Sequence, residues 1–124
     1  MYTVLNQIIT PSELASPSGF SHAIAASGGK TVYLAGQVSF DATGKIIHAG
    51  NLVKQFEQVL HNLEAAMIAA GGVMTDIVKL TIFVRDKNDY ASKMKEIGKI
   101  YASYFGKYFP AMTAGRRRVL LLPS

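Results

Sequence analysis

Three scattered histidines, one run of three arginines and a complete lack of cysteine define the chemistry open to this chain. Without a thiol there is no disulfide framework, no thiolate metal site and no cysteine nucleophile. His22 follows Ser21 directly, and neighbours on an extended segment point to opposite faces, so the two cannot act together as nucleophile and base. The ordinary pKa of an imidazole leaves His22 open as a general acid or base, beside the plainer reading of a partly buried hydrogen-bonding residue. His22, His48 and His61 lie far apart and lack H-x-H or H-E-x-x-H spacing, so no metal is expected, and no cofactor. Gly29-Lys30-Thr31 mimics the end of a phosphate loop, but its first glycine would fall at Ile24 and the segment runs into a strand pattern, so a hairpin turn with a solvated lysine is the better reading. Arg116, Arg117 and Arg118 supply three of the net five positive charges. The basicity is therefore a property of the tail, which reads as a solvated charge run, and nucleic acid is a disfavoured partner.

The elements that would carry these groups are most clearly marked between Asn51 and Val84. Leu52, Phe56, Val59, Leu60, Leu63, Met67 and Ala70 recur at the spacing of one helical face, with Lys54, Glu57, His61 and Glu64 outside it. Asn51 is a good cap for the first turn, and Gly71-Gly72 a good stop. Residues 77–84 predict a strand with Val78, Leu80, Ile82 and Val84 on an aliphatic face and Lys79, Thr81 and Phe83 on a mixed one. The aliphatic face suits the helix, while the mixed face needs another cover.

Upstream, a short strand fits residues 4–9, and turn chemistry at Pro11 and Pro17 follows it. Residues 20–26 and 31–35 read as two strands joined by Gly28-Gly29. Residues 41–44 form a further turn, and Gly36 marks a bulge or a close backbone approach. Downstream, Asn88 is the candidate cap of a second helix with Tyr90, Met94, Ile97, Tyr101 and Tyr104 along its stripe, ended by Gly106. That stripe reads as core rather than a binding platform. A last strand starts near Met112 and extends through residues 118–122. The order predicts an α+β sheet with both helices on one face and right-handed parallel crossovers. A chain of 124 residues that is 49% hydrophobic is one domain's worth, residues 1–124. Residues 1–10 lack the pattern of a leader and no stretch reaches the length of a membrane span, so the expectation is a soluble cytoplasmic protein without a membrane partner.

The wording of several segments resembles the reactive intermediate deaminase family, also called the YjgF or L-PSP endoribonuclease family. The match covers about residues 18–113. It rests on Gly19-Phe20-Ser21-His22-Ala23, Val32-Tyr33-Leu34-Ala35-Gly36-Gln37-Val38, Asn62-Leu63 to Ala69-Ala70-Gly71, Asp76-Ile77-Val78-Lys79, Asp86-Lys87-Asn88-Asp89-Tyr90 and Tyr104-Phe105-Gly106 to Phe109-Pro110-Ala111. This resemblance implies a chorismate-mutase-like α+β fold and a homotrimer whose sheets pack around the axis, leaving three clefts at the subunit seams. In deaminating members those clefts take an enamine or imine derived from an amino acid and hydrolyse it to a 2-oxo acid and ammonia. An arginine after the Pro-Ala pair holds the substrate carboxylate, a C-terminal glutamate assists water, and an early tyrosine closes the pocket.

This chain departs from that pattern. The arginine position is Met112, and a thioether carries no charge to hold an acid. The tyrosine position is Phe20, Ala114 replaces a residue that is often cysteine, and Gly36 and Asn88 match residues that line the cleft. The resemblance breaks after Thr113, so residues 114–124 read as a divergent or frame-shifted end that lacks the glutamate. The expectation is a trimer whose interface clefts bind a small molecule less acidic than the deaminases take. Phe20, Gly36, Asn88, Met112 and Ala114 are the candidate binding residues, and His22 the candidate acid or base. Three readings stay open: a divergent imine or enamine deaminase or related hydrolase, a non-catalytic ligand-binding trimer, and an endoribonuclease or translation inhibitor.

Overall fold

The computed structural model describes residues 5–116. Within them the order is β1 (Leu5–Ile9), β2 (Ala23–Ser27), α1 (Leu52–Ala69), a 3-10 turn (Met74–Asp76), β3 (Lys79–Val84), α2 (Lys87–Ser92), α3 (Met94–Phe105) and β4 (Ala111–Arg116). The result is a small α+β fold with two two-stranded sheets, β1 antiparallel to β2 and β3 parallel to β4.

Both ends of α1 are set by local chemistry. Asn51 Oδ1 accepts from the Lys54 N–H at 3.1 Å, which satisfies one free donor of the first turn. At the other end Gly71 takes φ +88°, and the Gly72 N–H reaches back to the Met67 carbonyl at 2.8 Å. That is the left-handed stop a side chain would strain. Leu60, Leu63 and Met67 from α1 meet Tyr101 and Phe105 from α3, with Met74 and Ile77 closing the cluster. The Tyr101 ring stacks on Phe105 and Phe109 with centroids 4.4 and 5.3 Å away. Its hydroxyl donates to the Tyr108 carbonyl at 2.9 Å, and the Tyr108 hydroxyl donates to the Ile77 carbonyl. Burial, with Tyr108 adding to it, pushes the Tyr101 phenol far up, so it stays a neutral donor inside the core.

On β3, Leu80, Ile82 and Val84 are half-buried while Lys79, Thr81 and Phe83 are exposed, as the alternation predicts. Leu80 and Met112, paired in register, both pack on the helix-side core. The helices thus cover one face of the parallel pair.

Three expectations differ in detail. The cap of the second helical region is Asp86, whose carboxylate accepts from the Asn88 and Asp89 N–H groups at 3.0 Å each. A charged acceptor two residues earlier outcompetes the Asn88 amide. The region also splits at Lys93, where φ −113° and ψ 17° leave the helical basin between α2 and α3. Finally, residues 20–26 and 31–35 do not pair. Gly28 and Gly29 adopt φ +77° and +65°, suited to a tight hairpin. Yet β2 ladders with β1, and residues 31–37 form no backbone hydrogen bonds among the described residues. Leu34 turns onto the core while Val32 and Tyr33 stay 44% and 91% exposed. β-propensity describes fit to a neighbouring strand, and among the described residues none pairs with this segment. The extension expected at residues 118–122 lies outside the described residues.

Candidate functional site

Ser21 ties the two sheets together. It is 6% exposed, its N–H donates to the Pro110 carbonyl at 3.1 Å and its hydroxyl to the Phe109 carbonyl at 2.5 Å. An isolated parallel bridge then sets Ser21 opposite Ala111, which brings the Phe20–His22 segment to the start of β4, one residue before Met112. The Ser21 hydroxyl is thereby committed to the backbone and is not activated by its neighbour.

His22 Nε2 lies 2.7 Å from the Ala15 carbonyl. A carbonyl only accepts, so Nε2 carries the proton and Nδ1 of the neutral ring is left to accept one. Phe20 meets the imidazole edge to face, with centroids 5.1 Å apart and planes at 88°. The loop before β2 therefore presents an oriented imidazole and an aromatic ring at the entry to β4. Met112 sits there half-buried against the core, and Ala114, on the same side of β4 opposite Ile82, is exposed.

The other two candidates lie elsewhere in the subunit. Asn88 is exposed in the first turn of α2, beyond the Val84 end of β3, and its side-chain amide makes no hydrogen bond among the described residues. Met112 pairs with Leu80, so the strand rise of roughly 3.3 Å per residue puts the start of α2 well over 10 Å further along. Gly36 is exposed, and a Cβ built on it would meet nothing within 4 Å. Neither a positive φ nor a close approach within the chain calls for glycine there. One subunit thus places the Phe20 and His22 rings together and holds their segment against the start of β4, while no contact among the described residues joins Gly36 or Asn88 to them.

Sequence reasoning used Asn62 only as part of a resemblance, and missed its physical role. Its amide donates to the Val38 and Phe40 carbonyls, both at 3.1 Å, while its Oδ1 accepts from Gln58 Nε2 at 2.9 Å. These bonds hang the Gly36 segment on α1. Two amides one helical turn apart were the available signal. Among the described residues no three His, Asp or Glu side chains cluster as a metal site requires, and no helix is long and apolar enough to cross a membrane.

The described residues thus form a small α+β subunit with an oriented imidazole beside an aromatic ring. The family described as Endoribonuclease L-PSP matches residues 10–120, and the chain belongs to this family, also known as YjgF or Rid. The match continues past Thr113, where the resemblance read from the sequence had stopped. A RutC family protein of Pyrococcus horikoshii is 38% identical over 112 residues, covering 89% of this chain and 83% of its own. The human 2-iminobutanoate/2-iminopropanoate deaminase is 28% identical over 115 residues, covering 92% and 80%. Among solved structures, a Rid family protein of Yersinia pestis superposes with a TM-score of 0.81 at 32% identity, over 95% of this chain and 90% of that one.

Proposed function

We propose that three copies of this chorismate-mutase-like subunit assemble into a trimer whose seams bind a small molecule of low acidity, and that the reaction there is hydrolysis of an imine or enamine to a carbonyl compound and ammonia. The observation that carries this reading is Met112, an uncharged thioether half-buried on β4 one residue past the bridge between Ser21 and Ala111. At that position the deaminating relatives are expected to hold a carboxylate with an arginine. A bidentate charge-assisted pair in a dry cleft cannot be replaced by sulfur. Phe20, Gly36, Asn88, Met112 and Ala114 line the cleft in this proposal. His22 Nδ1 takes a proton from the attacking water, and its protonated ring returns one to the departing amine.

Three observations support assembly. Phe83 is 55% exposed on the outer face of β3 and Tyr33 is 91% exposed. Open space beside Gly36 admits an approach from outside the chain. The separation of Asn88 and Gly36 from His22 is what a site shared between subunits requires.

The test compares ammonia release from freshly generated 2-iminopropanoate and from its neutral carboxamide analogue. The expected result is turnover of the neutral imine above the spontaneous rate, with little on the acid. Met112→Arg should then raise kcat/KM for the acid by about tenfold or more, the effect of one new charge-assisted contact. Rapid turnover of the acid by the unaltered protein would sink the proposal. So would a solution mass of one subunit at micromolar concentration, and cleavage of RNA without ammonia release would favour the function in the family's own description.

A further inference from the structure

The helix layer carries a groove that no step above uses. It lies where α1, the 3-10 turn and α3 meet, holds about 200 Å³, and is lined by Glu64, Ile68, Val73, Met74, Thr75 and Tyr104. That is below the roughly 300 Å³ at which drug-sized pockets begin, so the space suits a ligand of side-chain size. Met74, 4% exposed, forms the floor, and Ile68 and Val73 keep 64% and 57% of their surface open as apolar walls.

Glu64 is the charged side chain among the residues that line the groove. Glu57, Glu64 and Ile68 are spaced by seven and four residues, so they share one stripe of α1. Burial, then Glu64, then Glu57 raise the pKa of the Tyr104 phenol, so both carboxylates act on the spot where that hydroxyl sits. Glu57, Glu64 and Tyr104 have no hydrogen-bonding or ionic side-chain partner among the described residues, where the only ion pair joins Lys93 to Asp89. An apolar trough ending in unneutralised carboxylate and a phenol oxygen is complementary to a cation on an apolar stem.

We propose that this groove binds a small primary ammonium ion carried on a short alkyl chain, with the ammonium on Glu64 and Tyr104 and the chain along Ile68, Val73 and Met74. The groove uses only α1, the 3-10 turn and α3, so it stays open when the outer face of β3 and β4 is covered. It also stands whether or not the cleft hydrolyses imines.

The experiment titrates n-butylammonium into protein labelled at methionine methyl and tyrosine ring positions and follows the resonances. Saturable shifts at Met74 and Tyr104 are expected, with butyrate and 1-butanol giving none that saturate. Glu64→Gln should weaken binding about tenfold or more by removing the charge-assisted bond. Ile68→Ser, an exposed helical change that spares the core, should weaken it through the lost apolar wall. The proposal is overturned by unsaturable shifts with the amine, by an equal response to 1-butanol, or by unchanged affinity in Glu64→Gln.

Discussion

On the helix side of β3 and β4, Leu80 and Met112 meet a layer in which Leu60 and Phe105 are each 2% exposed. On the opposite side Lys79, Thr81 and Thr113 face outward, with the Lys79 ammonium donating to the Thr113 hydroxyl at 2.7 Å and Phe83 55% exposed. The same two strands thus have one face closed by the chain's own side chains and one left open. Burial of apolar surface is what carries folding stability, so the first face has to hold the isolated subunit together. The second can add stability only when something else covers it.

The sharpest way to break this comparison is to truncate one aromatic on each side. Phe105→Ala should cost about 3–5 kcal/mol, the range for deleting a fully buried aromatic. Phe83→Ala should cost well under about 1 kcal/mol in a subunit diluted below its assembly concentration, as an exposed substitution does. Urea unfolding of both variants at low and high protein concentration reads the difference. A large cost for Phe83→Ala that appears only at high concentration places the open face in an interface, and equal costs at all concentrations contradict the asymmetry.

The closed side was legible in the sequence because its signals are local. Asn51, the stripe through Leu60, Leu63 and Met67, and Gly71 each report within one or two turns of helix. The alternation along β3 likewise named its two faces, since period-two patterning needs no knowledge of the partner. The open side was harder. The strand-like composition of residues 31–35 and the Gly28-Gly29 pair promised a hairpin, but a ladder depends on what lies alongside. Ser21 shows the same limit at the candidate site. Nothing near Ser21 in the chain points to Phe109 or Pro110, yet that contact holds the His22 segment at the start of β4. Capping at Asp86 rather than Asn88 was a smaller error, a choice between two good acceptors in one turn.

Asn62 joins the closed region to the open one, so its removal sharpens the contrast at an intermediate cost. Val38 also accepts from the Phe40 N–H at 2.8 Å, and Phe40 also accepts from Gln58 Nε2 at 3.3 Å, so neither carbonyl is orphaned by Asn62→Ala. The change removes the two donated bonds and the one accepted from Gln58, so the loss should stay near 2–3 kcal/mol, about what three ordinary hydrogen bonds contribute. Hydrogen exchange should speed up selectively in residues 36–40 while α1 and α3 keep their protection. Uniform acceleration across the helices would mean that this segment is part of the core rather than hung on it.

The smallest effect belongs to the turn that returns the chain toward α1. Asp41 Oδ1 accepts from the Thr43 hydroxyl at 2.6 Å and from the Thr43 and Lys45 N–H groups at 2.9 and 3.1 Å. The Thr43 hydroxyl first, then the two backbone donors, hold its carboxyl below the usual value of 3.8, because all three bond the charged form better than the neutral one. A depressed native pKa contributes stability above the unfolded value and loses it as pH falls through the native one. Asp41→Asn keeps an acceptor oxygen but removes the charge. The unfolding midpoints of the two proteins should therefore differ slightly at neutral pH, with the natural residue ahead, and converge as the pH drops below the carboxylate range. Because the carboxylate stands in solvent, salt should shrink the gap as well. A gap that stays the same from neutral to acid pH would assign the turn's rigidity to the Gly44 conformation and the Asp41 backbone bonds, with no part for the charge.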